Sequence, residues 1–339
     1  MSAAVPSASL SRPLHLPERH PTADFFICDI FHALPKDDMA SMEHPVFSLS
    51  SRPDLRILRY AHNGIEVTVT PSVKGRATLF DKDILIYCIS QLMAALNAGR
   101  AVSRHLTLRA HDLLVATNRE TSGDSYRRLL EAFERLAGTR ITTNLSADGL
   151  DTTTGFGLIE SWRIVRRSRN GPMVQVMVTL SEWLYRAVLT QSVLTLSRDY
   201  FRLRKPLERR IYELARKHCG RQPEWRVSVA VLHAKSGSGS PVRVFRKMMR
   251  NMIAAQPLPD YDLEEEPGDI LRVTRRRVVI APGSGPHLKP DTLDFARSLA
   301  PGFDVHALAA EWRGMWEDTG RPRLRAPDAA FLGWLKKRF

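Results

Sequence analysis

The sequence predicts an α+β fold, and three observations carry that prediction. Short runs of β-branched residues with period two alternate with apolar stripes at helical spacing. One order of elements, helix, short strand, short helix, polar turn, longer helix and strand pair, occurs twice along the chain. From Pro290 onward the apolar anchors recur at helical spacing alone.

The chain has 339 residues, 43% of them hydrophobic, which is enough for packed cores. At roughly 100–200 residues per domain it should divide into two domains and a smaller piece. We place a disordered segment rich in Ser, Pro and Ala at residues 1–23, a first domain at 24–190, a second at 191–285 and a helical appendage at 286–339.

In the first unit, Leu55–Tyr60 and Ile65–Thr70 read as strands. Asn63-Gly64 between them is a hairpin signal, because both residues tolerate positive φ. Asp81–Leu96 reads as a helix with Asp81 as its N-cap and Ile84, Leu85, Cys88, Leu92 and Leu96 on one stripe. A strand at His105–Leu108, a short helix at Ala110–Ala116 and a polar turn at Thr117–Ser122 follow. The longer helix Asp124–Ala137 has Tyr126, Leu129, Leu130, Phe133 and Leu136 inward and closes at Gly138. Strands are expected at Ile141–Leu145, Gly155–Arg166 and Met173–Leu180.

The second unit repeats this. Lys205–His218 reads as a helix with Pro206 in its first turn, where a missing N–H costs little. Glu224–Ser228 is a strand, Val229–Lys235 a short helix and Ser236–Ser240 a turn. Pro241–Ala254 is a helix with Val242, Phe245, Met248, Met249 and Met252 inward. Tyr261–Glu265 and Ile270–Ile280 form the strand pair. In the tail, Leu293, Phe295, Ala296, Leu299, Leu308, Trp312, Trp316, Phe331, Leu332 and Trp334 are the apolar anchors.

Helix, turn, helix and hairpin in this order describe a winged helix. The turn sets the second helix at an angle to the first, so that it fits a DNA major groove, while the hairpin reaches the flanking backbone. The expected architecture is therefore two tandem winged-helix domains with a C-terminal helical appendage.

Charge points the same way. The net charge is +14, which favours a polyanionic partner. Residues 201–250 hold 14 Lys and Arg against three Glu, interleaved with apolar residues, so the charge decorates a folded unit. Candidate contacts follow from residue chemistry. Arg reads guanine with a two-pronged fork, and Lys and Arg neutralise phosphates. On the second unit these are Arg243, Arg246, Lys247 and Arg250 along one helix side, with Lys235, Ser238 and Ser240 near the turn and Arg275, Arg276 and Arg277 on the hairpin. A solvated cationic face is the plainer reading of such a stripe. On the first unit they are Ser122, Ser125, Arg127, Arg128 and Arg135. There Glu131 and Glu134 leave open whether the arginines read DNA or form i,i+4 ion pairs. Arg166, Arg167 and Arg169 stand before Asn170-Gly171 as a wing cluster or as a merely soluble hairpin tip.

Other classes find little support. There is no Gly-Lys dipeptide for a phosphate loop, no His-Glu-x-x-His, and no two histidines two apart for a nuclease metal site. We expect no enzyme activity, no metal and no cofactor. Cys28, Cys88 and Cys219 are odd in number and far apart, which suits reduced thiols, with Cys88 buried. No run has the length of a signal peptide or a membrane span, so the expected location is the cytoplasm, with no membrane partner.

Longer motifs add a resemblance. Pro35–Pro45, Gly75–Tyr87, Leu196–Leu203 and Pro206–Lys217 resemble the replication initiator protein A family of proteobacterial plasmids, and the likeness covers roughly 24–261. The resemblance implies binding to repeated double-stranded sites at an origin, opening of an AT-rich segment, and recruitment of a host initiator and replicative helicase. It also implies monomers on the repeats and a repressing homodimer joined through the first unit. It carries no individual base contacts. The alternatives are a transcriptional repressor without an initiation role, and an origin-nicking endonuclease.

Overall fold

In the computed structural model, which describes residues 15–17, 19, 35–97, 99–144, 153–166, 168, 173–219, 222, 224–276, 285–300, 303–318, 324, 326–336 and 338, the first regular elements are strand β1 (Lys36–Asp38) and helix α1 (Met39–Glu43). Asp38 starts α1 by accepting from the Ser41 N–H at 2.7 Å, which satisfies one of the free donors of a helix start. Strands β2 (Leu58–His62) and β3 (Ile65–Thr70) form the expected hairpin, with φ of +50° at Asn63 and +77° at Gly64. Helix α2 (Lys82–Asn97) starts one residue later than expected. Asp81 stands in the expected N-cap position, immediately before the helix, but its carboxylate points back along the chain. The Thr78 hydroxyl accepts from the Asp81 N–H, and the Asp81 carboxylate reaches back to the Thr78 N–H at 2.8 Å, so the two form a reciprocal pair.

Next come β4 (His105–Arg109), α3 (Ala110–Ala116) and α4 (Gly123–Gly138). Leu129, Phe133 and Leu136 of α4 are fully buried, as their spacing requires. The run expected as one strand from Gly155 splits into β6 (Thr154–Gly157) and β7 (Ile159–Arg166). Buried Leu158 is the switch point. Strand β6 pairs with β5 (Arg140–Thr143) in a sheet ordered β2-β3-β5-β6, whereas β7 pairs with β8 (Met173–Leu180) in a sheet ordered β4-β8-β7. Helix α5 (Glu182–Leu189) and strand β9 (Val193–Thr195), antiparallel to β1, complete this half.

A 3-10 turn at Arg198–Arg202 leads into α6 (Pro206–His218), with Pro206 in its first turn as expected. Then follow β10 (Glu224–Ser228), α7 (Val229–Ser236), α8 (Val242–Ala255), β11 (Tyr261–Glu266) and β12 (Ile270–Arg275). The expected second hairpin strand, to Ile280, ends at Arg275; residues 277–280 lie outside the described residues. The sheet order β10-β12-β11 repeats β4-β8-β7: the strand before each helix pair joins the last strand after it. The two three-stranded sheets thus share one strand order, although β5 and β6 come between α4 and β7 in the first half alone. Phe245, Met249 and Met252 are buried beneath α8, but Val242 and Met248 are 39% and 37% exposed and do not belong to its inner face.

One apolar core runs without interruption from Met42 to Val273. Helices α9 (Pro290–Leu299), α10 (Val305–Asp318) and α11 (Pro327–Lys336) gather a second cluster around Trp312 and Phe331. Phe295, expected inside it, is 50% exposed. The expected disordered segment at 1–23 lies mostly outside the described residues, but Leu16 donates to the Arg202 carbonyl at 2.8 Å, and Arg19 is paired with Glu120.

Charged side chains bind the two halves. On α6, Arg209, Arg210 and Glu213 are all buried. Arg209 reaches Asp83 at 2.6 Å, and Arg210 donates to the carbonyls of Ser41, Met42 and Lys235. Glu213 takes Lys82 at 3.0 Å and the Tyr200 hydroxyl at 2.7 Å, while Asp37 takes Lys82 at 2.6 Å. A buried charge is tolerated only when paired and hydrogen-bonded; here Arg209, Arg210 and Glu213 find partners on the first half, and Asp37 supports Lys82 from the same half.

Candidate nucleic-acid interface

The two helix pairs, α3–α4 and α7–α8, present their second helices to solvent. On α8, Arg243 and Lys247 are exposed and have no ion-pair partner among the described residues. Arg246 and Arg250 lie on the same side but are engaged. Arg246 grips Asp269 with two bonds of 2.7 Å, and Arg250 grips Glu265 at 2.8 Å. Both carboxylates stand on the β11–β12 hairpin. The hairpin expected to carry positive charge to the backbone therefore carries acids that meet α8. Glu264 and Glu266 in turn hold Arg272, and Asp262 holds Arg276 at 2.9 Å. Arg275 is exposed at the end of β12, and Arg277 lies outside the described residues.

Lys235 requires a correction. It is 6% exposed and its ammonium pairs with Glu43 of the first half, so it faces the interior and is not offered to a phosphate. Ser238 and Ser240 sit half-buried before the helix, where the Ser238 hydroxyl accepts from the Ser240 N–H at 3.3 Å. Pro241, not Ser240, is the N-cap of α8, and no side chain caps the helix. The turn itself needs glycine. Gly237 has φ of +69°, and a Cβ there would come 2.8 Å from Pro45.

On α4, the N-cap Ser122 makes no side-chain bond to a helix N–H, its hydroxyl instead lying 3.2 Å from that of Ser125. Arg127 and Arg128 are exposed, Arg127 bonded to Asp124 and to Glu131 at 3.1 Å, and Arg128 to Asp124 at 2.6 Å. Arg135 is corrected outright: both its bonds, at 2.7 and 2.8 Å, go to Asp81, so it ties α4 to the start of α2. Arg166 ends β7 exposed, and Arg167 and Arg169 lie outside the described residues.

The structure also brings in cations that sequence reading passed over. Arg56 lies so close to Gly239 that a Cβ there would meet its guanidinium at 2.3 Å. With Lys205 it lines a cleft of about 570 Å³ that runs from Ser48 past Ser238 to Asn251 and Met252 on α8. Nothing in the sequence signals that Arg56, far away on the first half, reaches the α7–α8 turn.

Among the described residues no helix is long and apolar enough to cross a membrane. Residues 36–263 match the family model described as replication initiator protein A. A protein of Wigglesworthia glossinidia brevipalpis that is assigned to replication is 37% identical over 246 residues, 71% of this chain and 88% of that one. Among solved structures, domains 2 and 3 of RctB superpose with a TM-score of 0.50 at 12% identity, covering 69% of this chain and 95% of that one. A second structure of the same two domains gives 0.48 at 12% identity over 70% and 96%. At that identity the first superposition speaks for a shared fold and for nothing finer.

Proposed function

The chain belongs to the replication initiator protein A family, and from that premise we propose that it initiates plasmid replication by binding repeated double-stranded sites at an origin. Each half is a winged helix in this reading. Helices α4 and α8 enter successive major-groove faces, and β7–β8 and β11–β12 are the wings. The observation that carries the reading is the repeated sheet order, β4-β8-β7 and β10-β12-β11, around two exposed second helices, one of which holds the unpaired Arg243 and Lys247.

Phosphate contacts from such cations supply affinity whatever the sequence, and base-edge contacts supply choice. Arg246 and Arg250 are held by their hairpin carboxylates, so in this reading the phosphate contacts of α8 fall to Arg243 and Lys247. Once bound, the protein opens a neighbouring AT-rich segment and brings in the host initiator and helicase. Monomers act on the repeats, and a homodimer joined through the first half represses the initiator's own gene. The protein works in the cytoplasm and binds without cutting. Supercoiled origin DNA incubated with it and Mg²⁺ or Mn²⁺ should stay un-nicked.

A footprint on DNA flanking the gene, in excess competitor, tests the central claim. Several directly repeated protected sites at whole-turn spacing support initiation. A single inverted repeat at the promoter would instead make the protein a repressor.

A further inference from the structure

A second cleft, of about 490 Å³, lies away from α8, between the β2–β3 hairpin of the first half and β10 and α7 of the second. Its size falls within the roughly 300–1,000 Å³ usual for small-ligand sites. Its walls are unusually rich in flat rings. Trp225 stacks on His218 with centroids 4.4 Å apart and planes 15° from parallel. Tyr60 and His62 come from the opposite half, and His44 lies against Tyr60 at 5.8 Å. Trp225 is half-buried, whereas Tyr60 and His44 are each 6% exposed.

Two polar atoms buried behind this wall, the Tyr60 hydroxyl and His44 Nδ1, have no hydrogen-bond partner among the described residues. Both are buried, and a buried polar atom left unpaired costs about 1–3 kcal/mol. The charges of the wall, by contrast, are already matched. Glu43 is held by Lys235 and by His218 at 3.0 Å, and Arg226 by Glu224 and Glu266 at 3.1 Å. Burial keeps the His44 imidazole neutral down to about 4. The cleft thus offers a stacking surface, with the Tyr60 hydroxyl and His44 Nδ1 buried just behind its wall and the charges of its lining already paired.

We propose that this cleft binds a nucleobase, stacked on the Trp225–His218 platform, and that the Tyr60 hydroxyl and His44, buried behind the wall, turn to meet its edge when it binds. A base is flat, neutral and bordered by donors and acceptors, which is the complement of this wall, and stacking on aromatic side chains is tolerant of sequence. Such a base comes from a free nucleotide or from an unpaired DNA strand. Because the cleft is walled by both halves, the occupant bridges them. The proposal does not depend on duplex binding by α4 or α8.

The test titrates the full chain with three probes: a short unpaired strand carrying 2-aminopurine, the same strand made abasic, and free 2-aminopurine nucleoside triphosphate. Stacking should quench the fluorescent base, and the abasic strand should bind more weakly by about fivefold to a hundredfold. Quenching of the strand alone identifies unpaired DNA as the source, and quenching of the free nucleotide identifies a nucleotide site. Trp225→Ala should lose the quenching while keeping duplex affinity, and Trp225→Phe should restore most of it. An abasic strand that binds as tightly, together with an unquenched free nucleotide, overturns the proposal. So does full quenching in a Trp225→Ala protein that melts like wild type. Should that variant not fold, the unaltered chain decides the matter. Photocross-links from an azidopurine-bearing strand must fall on the peptides of Tyr60, His62 or Trp225, and cross-links elsewhere refute the site.

Discussion

Replacing Arg243 and Lys247 together by alanine separates a DNA-binding face from a merely solvated one. Both side chains project from α8 without an ion-pair partner among the described residues, so their removal disturbs no internal bond. Each lost phosphate contact lowers the slope of log affinity against log salt by about 0.9, so the double variant should lose about 1.8. Over roughly a fourfold rise in salt, the wild type should then lose about twelvefold more affinity than the variant. Arg246 provides the contrast, because it forms a neutral pair with Asp269 at 2.7 Å. Removing both, as Arg246→Ala with Asp269→Asn, should leave the slope unchanged, whereas Asp269→Asn alone frees a guanidinium and should steepen it by up to about 0.9. Fluorescence anisotropy of a labelled duplex over a salt series reads all four proteins. Non-specific duplex suffices, since the slope counts phosphates and not bases. An unchanged slope in a folded Arg243→Ala, Lys247→Ala protein would refute this use of α8.

Other predictions address the frame. Glu213→Ala strips a partner from Lys82, Arg210 and Tyr200 and should cost about 3–5 kcal/mol in urea unfolding, as removal of one member of a buried ion pair does. A loss below about 1 kcal/mol would mean that the seam tolerates an empty place, contrary to that rule. Burial holds His44 and His306 neutral down to about 4, while the unfolded chain protonates them below its ordinary 6.5. The unfolded state therefore binds more protons between these values, and stability falls as pH drops through that window. From pH 7 to 5 we expect a loss of roughly 2 kcal/mol per histidine, flattened in a His44→Gln, His306→Gln protein followed by thermal melts. Truncation before Pro290 should spare duplex affinity and abolish maintenance of a reporter plasmid; a truncated chain that still supports replication would refute the need for the tail in initiation.

The periodic elements were legible because their causes are local. Asn63-Gly64 needs no distant partner to make its turn, and the stripe of Leu129, Phe133 and Leu136 buries itself on any helix. What escaped was long-range pairing. A row of arginines on α8 looks alike whether its forks are free or held, and only the folded hairpin brings Asp269 and Glu265 against Arg246 and Arg250. Lys235 looks like a turn cation in sequence and proves to be bound to Glu43, almost two hundred positions away by chain but adjacent in space. Arg135 misleads for the same reason, through Asp81. Charge is the property for which sequence says least about role, because a partner from any part of the chain can cancel it.

That weakness of sequence is also what makes the seam between the halves informative. A buried ion pair adds little stability over well-packed apolar residues of the same shape, since desolvation consumes most of the attraction. Its geometry, however, is demanding. Arg209 must meet Asp83, and Arg210 must reach four carbonyls, those of Ser41, Met42 and Glu43 on one side and Lys235 on the other. An apolar seam would slide over a range of angles with little penalty; this one leaves unpaired charges at every angle but one. Under the proposed function, in which α4 and α8 both read DNA, the two helices need that property. Successive major-groove faces lie about 34 Å apart on B-DNA, and a small rotation between halves moves the second helix out of its groove. On this argument the buried charges of α6 set the relation of the two reading surfaces, and the nucleobase cleft lies on the same seam. A ligand that bridges Tyr60 and Trp225, as proposed, would touch both halves beside the Glu43–Lys235 pair and so bias the angle between them.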